Sequence, residues 1–128
     1  MPVAVDTVRS VVDSYVAAQN TGDRAALLAL FAPDGEFHDP VGTPPHVGRD
    51  AIGAFFDQVR TMARSFALEP KDVIVCGTEA AMVFEIHVTI DDTNSMVIDG
   101  VEIFVVNEDG QIASLRAYWD MSRARTRG

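Results

Sequence analysis

Residues 94–107, Asn94-Ser95-Met96-Val97-Ile98-Asp99-Gly100-Val101-Glu102-Ile103-Phe104-Val105-Val106-Asn107, decide the fold. Alternation along this run puts Val97, Val101, Ile103 and Val105 on one face of a strand and Ile98, Glu102, Phe104 and Val106 on the other, so both faces are apolar and both need cover. Helices from elsewhere in the chain can cover one face. For the other, a second copy of the sheet is the simplest cover, which predicts a homodimer through the sheet face.

The pattern extends outward from this strand. Segments 66–76, 79–90 and 111–120 are β-branched and alternating, and the connections Gly77-Thr78-Glu79, Asp91-Asp92-Thr93-Asn94 and Glu108-Asp109-Gly110 carry hairpin turn chemistry. The first half is helical instead. Asp6 or Thr7 caps a helix with Val8, Val11, Val12, Tyr15 and Val16 on one face. Thr21-Gly22-Asp23 ends it and caps a second helix carrying Leu27, Leu28, Leu30 and Phe31, closed by a Pro33-Asp34-Gly35 turn. A short strand from Glu36 to Asp39 and a Pro-rich loop over 40–48 lead into a third helix, from Arg49 through Ile52, Phe55, Phe56 and Val59 to about Arg64. Three helices followed by a four-stranded meander predict an α+β domain, one unit over residues 1–128. Its curved, mostly antiparallel sheet wraps the helices and leaves a cavity between the layers.

Composition narrows the partners. A length of 128 residues, 48% hydrophobic and 23% charged, is enough to bury a sizeable core. A net charge of −9 repels phosphate backbones and anionic lipid, so neither nucleic acid nor a membrane is an expected partner. Arg123, Arg125 and Arg127 read as a solvated tail without a function. No stretch approaches the ~20 apolar residues of a membrane span, and the first residues carry neither a charged leader nor an apolar signal segment. Cys76 has no partner for an internal disulfide and ends the apolar run Val73-Ile74-Val75, which reads as a buried thiol in a reducing compartment. The expected location is the cytoplasm.

Three polar residues fall on apolar faces. In the short strand, Phe37 and Asp39 share one side, so a core Phe37 brings Asp39 inward, where lost hydration makes its carboxylate a stronger base. A turn-forming aspartate ahead of Pro40 accounts for the same residue. Glu102 shares its face with Phe104 and Val106; buried, it would be protonated and able to donate to an oxygen gaining negative charge, and beside a bulge it would be partly exposed and ordinary. The Tyr15 phenol could donate to the same oxygen, or be a core tyrosine tied to a neighbour.

His38 should face away from Asp39, His46 lies in the Pro-rich loop and His87 stands alone in a strand. Metal-ligand spacings, glycine-rich phosphate loops and nucleophile elbows are all absent, so neither a metal nor a cofactor is expected. A base, two oxyanion donors and an apolar pocket suit proton abstraction next to a carbonyl.

The stretch Glu36-Phe37-His38-Asp39-Pro40-Val41-Gly42-Thr43-Pro44-Pro45, followed by Gly48-Arg49 and Ala54-Phe55-Phe56, resembles bacterial ketosteroid isomerases, within the nuclear transport factor-like and polyketide cyclase-like superfamily. The D-P-x-G-x-P-P block is the specific part. The resemblance runs from the Tyr15 helix with Gly22-Asp23 to Ile112 and Ala117-Tyr118-Trp119. It implies a cone-shaped barrel with a deep apolar pocket and cofactor-free conversion of a β,γ-unsaturated 3-oxosteroid to the conjugated ketone. Asp39 would shuttle the proton, while Tyr15 and a protonated carboxylic acid bind the dienolate oxygen.

The family's aspartate at that last position is Glu102 here, one methylene longer. Glutamate keeps the chemistry but adds about 1.5 Å of reach where productive sites are held to roughly 0.5 Å. Phe31 and Phe56 stand where one branch of the family has tyrosines supporting the oxyanion tyrosine, which implies a shorter donor network. Trp119 matches an aromatic of the steroid pocket, and Phe55, Phe56, Met82, Phe84 and Phe104 would add apolar wall, although core packing explains each singly. The implied ligand is a small apolar ketone of steroid type. Cyclases and epoxide hydrolases of the same fold, or a non-catalytic steroid or lipid carrier, are the competing implications. The prolines leave open whether the Asp39-Pro40 bond is cis.

Overall fold

Apolar residues three and four apart build α1, Val5–Thr21, in the computed structural model, which describes residues 3–127: Val8, Val11, Val12, Tyr15 and Ala18 form one buried stripe. The helix starts behind Ala4, which offers no side-chain cap, and Asp6 lies in the first turn rather than at the cap, next to the positive end of the helix dipole. Gly22 ends it at φ 69°, where its amide bonds the Ala18 carbonyl. Asp23 caps α2, Arg24–Ala29, by accepting from the Ala26 amide at 3.0 Å, as the sequence predicts.

The second helix is shorter than its apolar residues imply. Phe31 opens a strand, β1 (Phe31–His38), paired in parallel with Ile112. Leu27, Leu28, Leu30 and Phe31 fit a helix by spacing alone; the Leu30 carbonyl, accepting from the Ile112 amide at 2.7 Å, commits the chain to the sheet. Pro33-Asp34-Gly35 makes no separate turn but an irregularity within β1, where the register shifts between Phe31 and Glu36. A Cβ on Gly35 would come within 2.9 Å of the Ile112 carbonyl oxygen. Arg49 anchors this segment with two hydrogen bonds to the Phe31 carbonyl, 2.9 and 2.7 Å.

The 40–48 loop contains a two-residue strand, β2 (His46–Val47), antiparallel to β1, and the Asp39-Pro40 peptide is cis. Helix α3 spans Arg49–Arg60 and stops four residues short of Arg64, because Thr61 folds back onto the Gln58 carbonyl through both its amide and its hydroxyl. The short turn that follows brings Met62 and Ala63 to the cavity described below.

The meander consists of β3 (Ser65–Cys76), β4 (Glu79–Thr89), β5 (Ser95–Val106) and β6 (Ile112–Trp119), all antiparallel, with strand order β2-β1-β6-β5-β4-β3. Among the described strands only the β1–β6 pairing is parallel. The fold is thus the expected α+β arrangement, three helices against a curved, mostly antiparallel sheet. Along β5, Ile98, Glu102, Phe104 and Val106 are buried against the helices while Val101, Ile103 and Val105 are half-exposed, the alternation read from the sequence; Val97 is buried as well.

Two further expectations are overturned. Cys76 is exposed, because β3 is an edge strand whose even-numbered residues there, Ile74 and Cys76, point outward. The terminal arginines are no free tail: after a 3-10 turn, Met121–Arg123, a strand β7 (Arg125–Arg127) pairs with Ser95–Val97 of β5, which β6 leaves uncovered beyond Gly100. No helix among the described residues is long and apolar enough to cross a membrane.

Candidate active site

The helical layer and the sheet enclose a cavity of about 430 Å³, within the range of small-molecule sites. Polar side chains enter it from several elements: Tyr15, Gln19 and Asn20 from α1, Asp39 from just past β1, Arg60 from the end of α3, Glu102 from β5 and Trp119 from the end of β6. Tyr15 is inward because it lies on the apolar stripe of α1, and its ring meets Phe104 edge-on at 5.2 Å. Glu102 is inward by parity on β5 and is 4% exposed. Asp39 follows Phe37 inward, as the alternation requires, while His38 turns out toward Glu36 at 3.5 Å.

Tyr15 and Glu102 are joined directly. The phenol donates to Glu102 Oε2 at 3.3 Å, and the phenol oxygen accepts from Gln19 Nε2 at 3.0 Å. Burial pushes the Glu102 carboxyl up to about 8, and the nearby Asp39 charge pushes the same way, against a lowering from the Tyr15 hydrogen bond. A value of about 8 favours the protonated form at neutral pH, and in that form the Glu102 carboxyl can donate. Burial, then Glu102 and Asp39, hold the Tyr15 phenol well above its ordinary range, so it too keeps its proton.

Asp39 is also raised above its ordinary value, but unlike Glu102 it has two partners that pull it back toward the charged form. Burial raises its carboxyl, but the Trp119 indole donates to Oδ1 at 2.6 Å and the His46 ring lies near, and both favour the charged form. Oδ2 has no protein hydrogen bond among the described residues. His46, which the sequence placed in the Pro-rich loop without a role, stacks on Phe55 with ring centroids 4.1 Å apart.

Of the expected wall residues, Phe55, Phe56, Phe84 and Trp119 line the cavity. Met82 and Phe104 do not: both are fully buried behind it, with the right parity but one layer too deep, Met82 directly across the β4–β5 ladder from Glu102. Phe66, Ile98 and Met121 supply wall that sequence reasoning missed. Gly100 shapes the wall too, since a Cβ there would sit 2.5 Å from the Phe84 ring. Gln19 was also missed. Its place one turn after Tyr15 on the same face was the available signal.

Outside the cavity, ligand atoms of Glu69, Glu85 and His87 lie within 4.8 Å of one another. Lys71 and Arg125 already sit against these carboxylates, at 2.9 and 3.1 Å.

Fold and cavity together define a small α+β pocket protein, and the chain belongs to the SnoaL-like domain family, which matches residues 12–115. It is 33% identical over 113 residues to the steroid Delta-isomerase of Nocardioides simplex, covering 88% of this chain and 89% of that one. Among solved structures it resembles the Delta 5-3-ketosteroid isomerase of Mycobacterium sp., with a TM-score of 0.84 at 25% identity over 94% of this chain and 98% of the other. It resembles equally the epoxide hydrolase/cyclase-like enzyme SalBIII, which functions in pyran ring formation in the polyether salinomycin: TM-score 0.84, 25% identity, 93% and 95% coverage.

Proposed function

We propose that this protein is a steroid delta-isomerase that converts a β,γ-unsaturated 3-oxosteroid to the conjugated α,β-unsaturated ketone without a cofactor. The observation that carries the reading is the difference between two carboxyl groups in one apolar cavity: Glu102, pushed to about 8, and Asp39, held by Trp119. Ketosteroid isomerases oppose a carboxylate base to a neutral carboxylic acid in the same way, and here the neutral acid is a glutamate.

With the ketone oxygen between Tyr15 and Glu102, the Asp39 carboxylate removes a proton from the carbon between the carbonyl and the double bond. The C–H electron pair forms a new carbon-carbon double bond, and the carbonyl π electrons move onto oxygen, giving a dienolate. Hydrogen bonds from Tyr15 and protonated Glu102 stabilise that oxyanion between apolar walls, where such donors act more strongly than in water. Asp39 then returns its proton to the γ carbon, the dienolate collapses, and the conjugated ketone leaves with the enzyme unchanged. The aromatic walls supply the apolar contact a fused-ring ligand needs.

The test is the ultraviolet absorbance of enone formed from a 5-ene-3-ketosteroid by wild type, Asp39→Asn and Glu102→Asp. Conversion by wild type that Asp39→Asn removes supports the reading; no conversion by wild type or Glu102→Asp sinks it.

A second reading has one observation in its favour. A carboxylic acid and a carboxylate facing one cavity also suit acid-base opening of an epoxide, and the SalBIII likeness is as close in fold as that to the isomerase. Turnover of an epoxy-alcohol with no effect on ketosteroids would favour it.

We place the working form as a homodimer through the outer sheet face, where Val83 and Tyr118 are each 43% exposed beside Val101 and Ile103. The exposed single thiol of Cys76 fits the reducing cytoplasm.

A further inference from the structure

Arg60 is a cation in the cavity wall that the isomerisation does not use. It closes α3, is half-buried, and lines the same cavity as Tyr15 and Glu102. Its guanidinium lies 4.8 Å from the Phe56 ring centroid and donates to the backbone carbonyl of Gln19. No carboxylate pairs with it among the described residues, whereas Arg24, Arg64 and Arg125 each meet an aspartate. The chain holds 19 acidic residues against 10 basic ones, so an arginine facing an apolar cavity with no acid beside it needs its own explanation. A guanidinium has five donors, and the Gln19 carbonyl occupies only part of that fork.

Position along α1 sets what this group can reach. Gln19 and Gly22 follow Tyr15 by four and seven residues, about 6 and 10 Å along the helix axis. The guanidinium touches the first and would lie 3.6 Å from a Cβ on the second. Arg60 is thus displaced along α1 from the Tyr15–Glu102 pair, on the way to a mouth where Met62 and Met121 are 64% and 54% exposed. A rigid four-ring ligand with its ketone between Tyr15 and Glu102 is long enough for its far end to reach that region.

We propose that this end of the cavity is a carboxylate subsite, and that the preferred substrate is a 3-oxosteroid bearing a carboxylic acid on its far end, paired with Arg60. The proposal rests on the steroid reading of the same cavity. Guanidinium and carboxylate match as two-pronged partners, and apolar walls strengthen the pair. A guanidinium present only to tie α3 to α1 would confer no preference for charge.

The experiment is a binding titration followed by quenching of the single tryptophan, Trp119, with two conjugated 3-oxosteroids that differ only in a side-chain carboxylic acid or its methyl ester. Wild type should bind the acid at least about tenfold more tightly than the ester, as expected of a charge-assisted pair, with the advantage shrinking as salt is added. Arg60→Met should bring the acid-to-ester ratio close to one, and Arg60→Lys should keep part of it. A wild-type ratio of one or below overturns the subsite, whether or not the variants fold. Failure to bind either ligand overturns the steroid reading and the subsite with it, so the two failures are told apart without turnover.

Discussion

Glu102 and Asp99 stand three residues apart on β5 and face opposite sides of the sheet. The inner carboxyl sees Tyr15, apolar walls and another carboxylate, and its pKa climbs to about 8. The outer one bonds the Arg125 guanidinium and is held below its usual range. One strand thus presents a neutral acid to the cavity and an anion to the surface. The backbone's period of two makes this sorting, and it explains how a glutamate can serve as a hydrogen-bond donor in a chain of net charge −9.

The comparison breaks most readily on the inside. Asp39→Asn should lower kcat by roughly 10²- to 10⁴-fold, the range for a lost general base, while affinity for the conjugated product measured by fluorescence stays within a few-fold. Tyr15→Phe should cost about 10²- to 10³-fold in kcat, as for one oxyanion donor.

The pH dependence sharpens the contrast. kcat/KM should fall as pH rises through about 8, where Glu102 loses its proton, and Glu102→Gln should remove that limb. Stability should follow the same group. Its folded pKa of about 8 lies above the ordinary 4.5, so between those values the native state holds a proton that the unfolded chain has lost. The Glu102 contribution is therefore full below about 4.5, declines as pH rises to about 8 and is flat beyond. Urea midpoints across pH should show this slope in wild type and lose it in Glu102→Gln.

Smaller effects follow. Gln19→Leu removes the donor that orients the Tyr15 hydroxyl, and should lower kcat about three- to tenfold with KM nearly unchanged. Smallest of all, Asp99→Asn on the outer face should leave kcat within about twofold, since exposed ion pairs contribute little.

Much of the site was legible because alternation and helical spacing place residues on faces. Asp39 beside Phe37, Glu102 beside Phe104 and Tyr15 on the Val8–Val12 stripe all point where their periods say. Periodicity gives the side but not the depth, which is why Met82 and Phe104 lie behind the wall rather than in it. It also says nothing of a strand's place in the sheet. Cys76 is exposed because β3 is an edge, and Arg125–Arg127 are ordered because β5 had an open stretch beside Ser95–Val97. Phe31 fits helix and strand spacing alike, and only its distant partner Ile112 decides. Arg60 and His46 act through a neighbour remote in sequence or through stacking, which no local pattern reveals, whereas Gln19 sits one turn from Tyr15 and its spacing was a readable signal.

The central claim is that Glu102 works as a neutral acid, and its ionisation can be observed directly. Isotope-edited infrared difference spectra of wild type against Glu102→Gln, titrated between about pH 5 and 9, resolve the protonated and ionised carboxyl bands of this one residue. The protonated band should persist through neutrality and give way near pH 8. A carboxylate band already dominant at pH 6 would contradict the account.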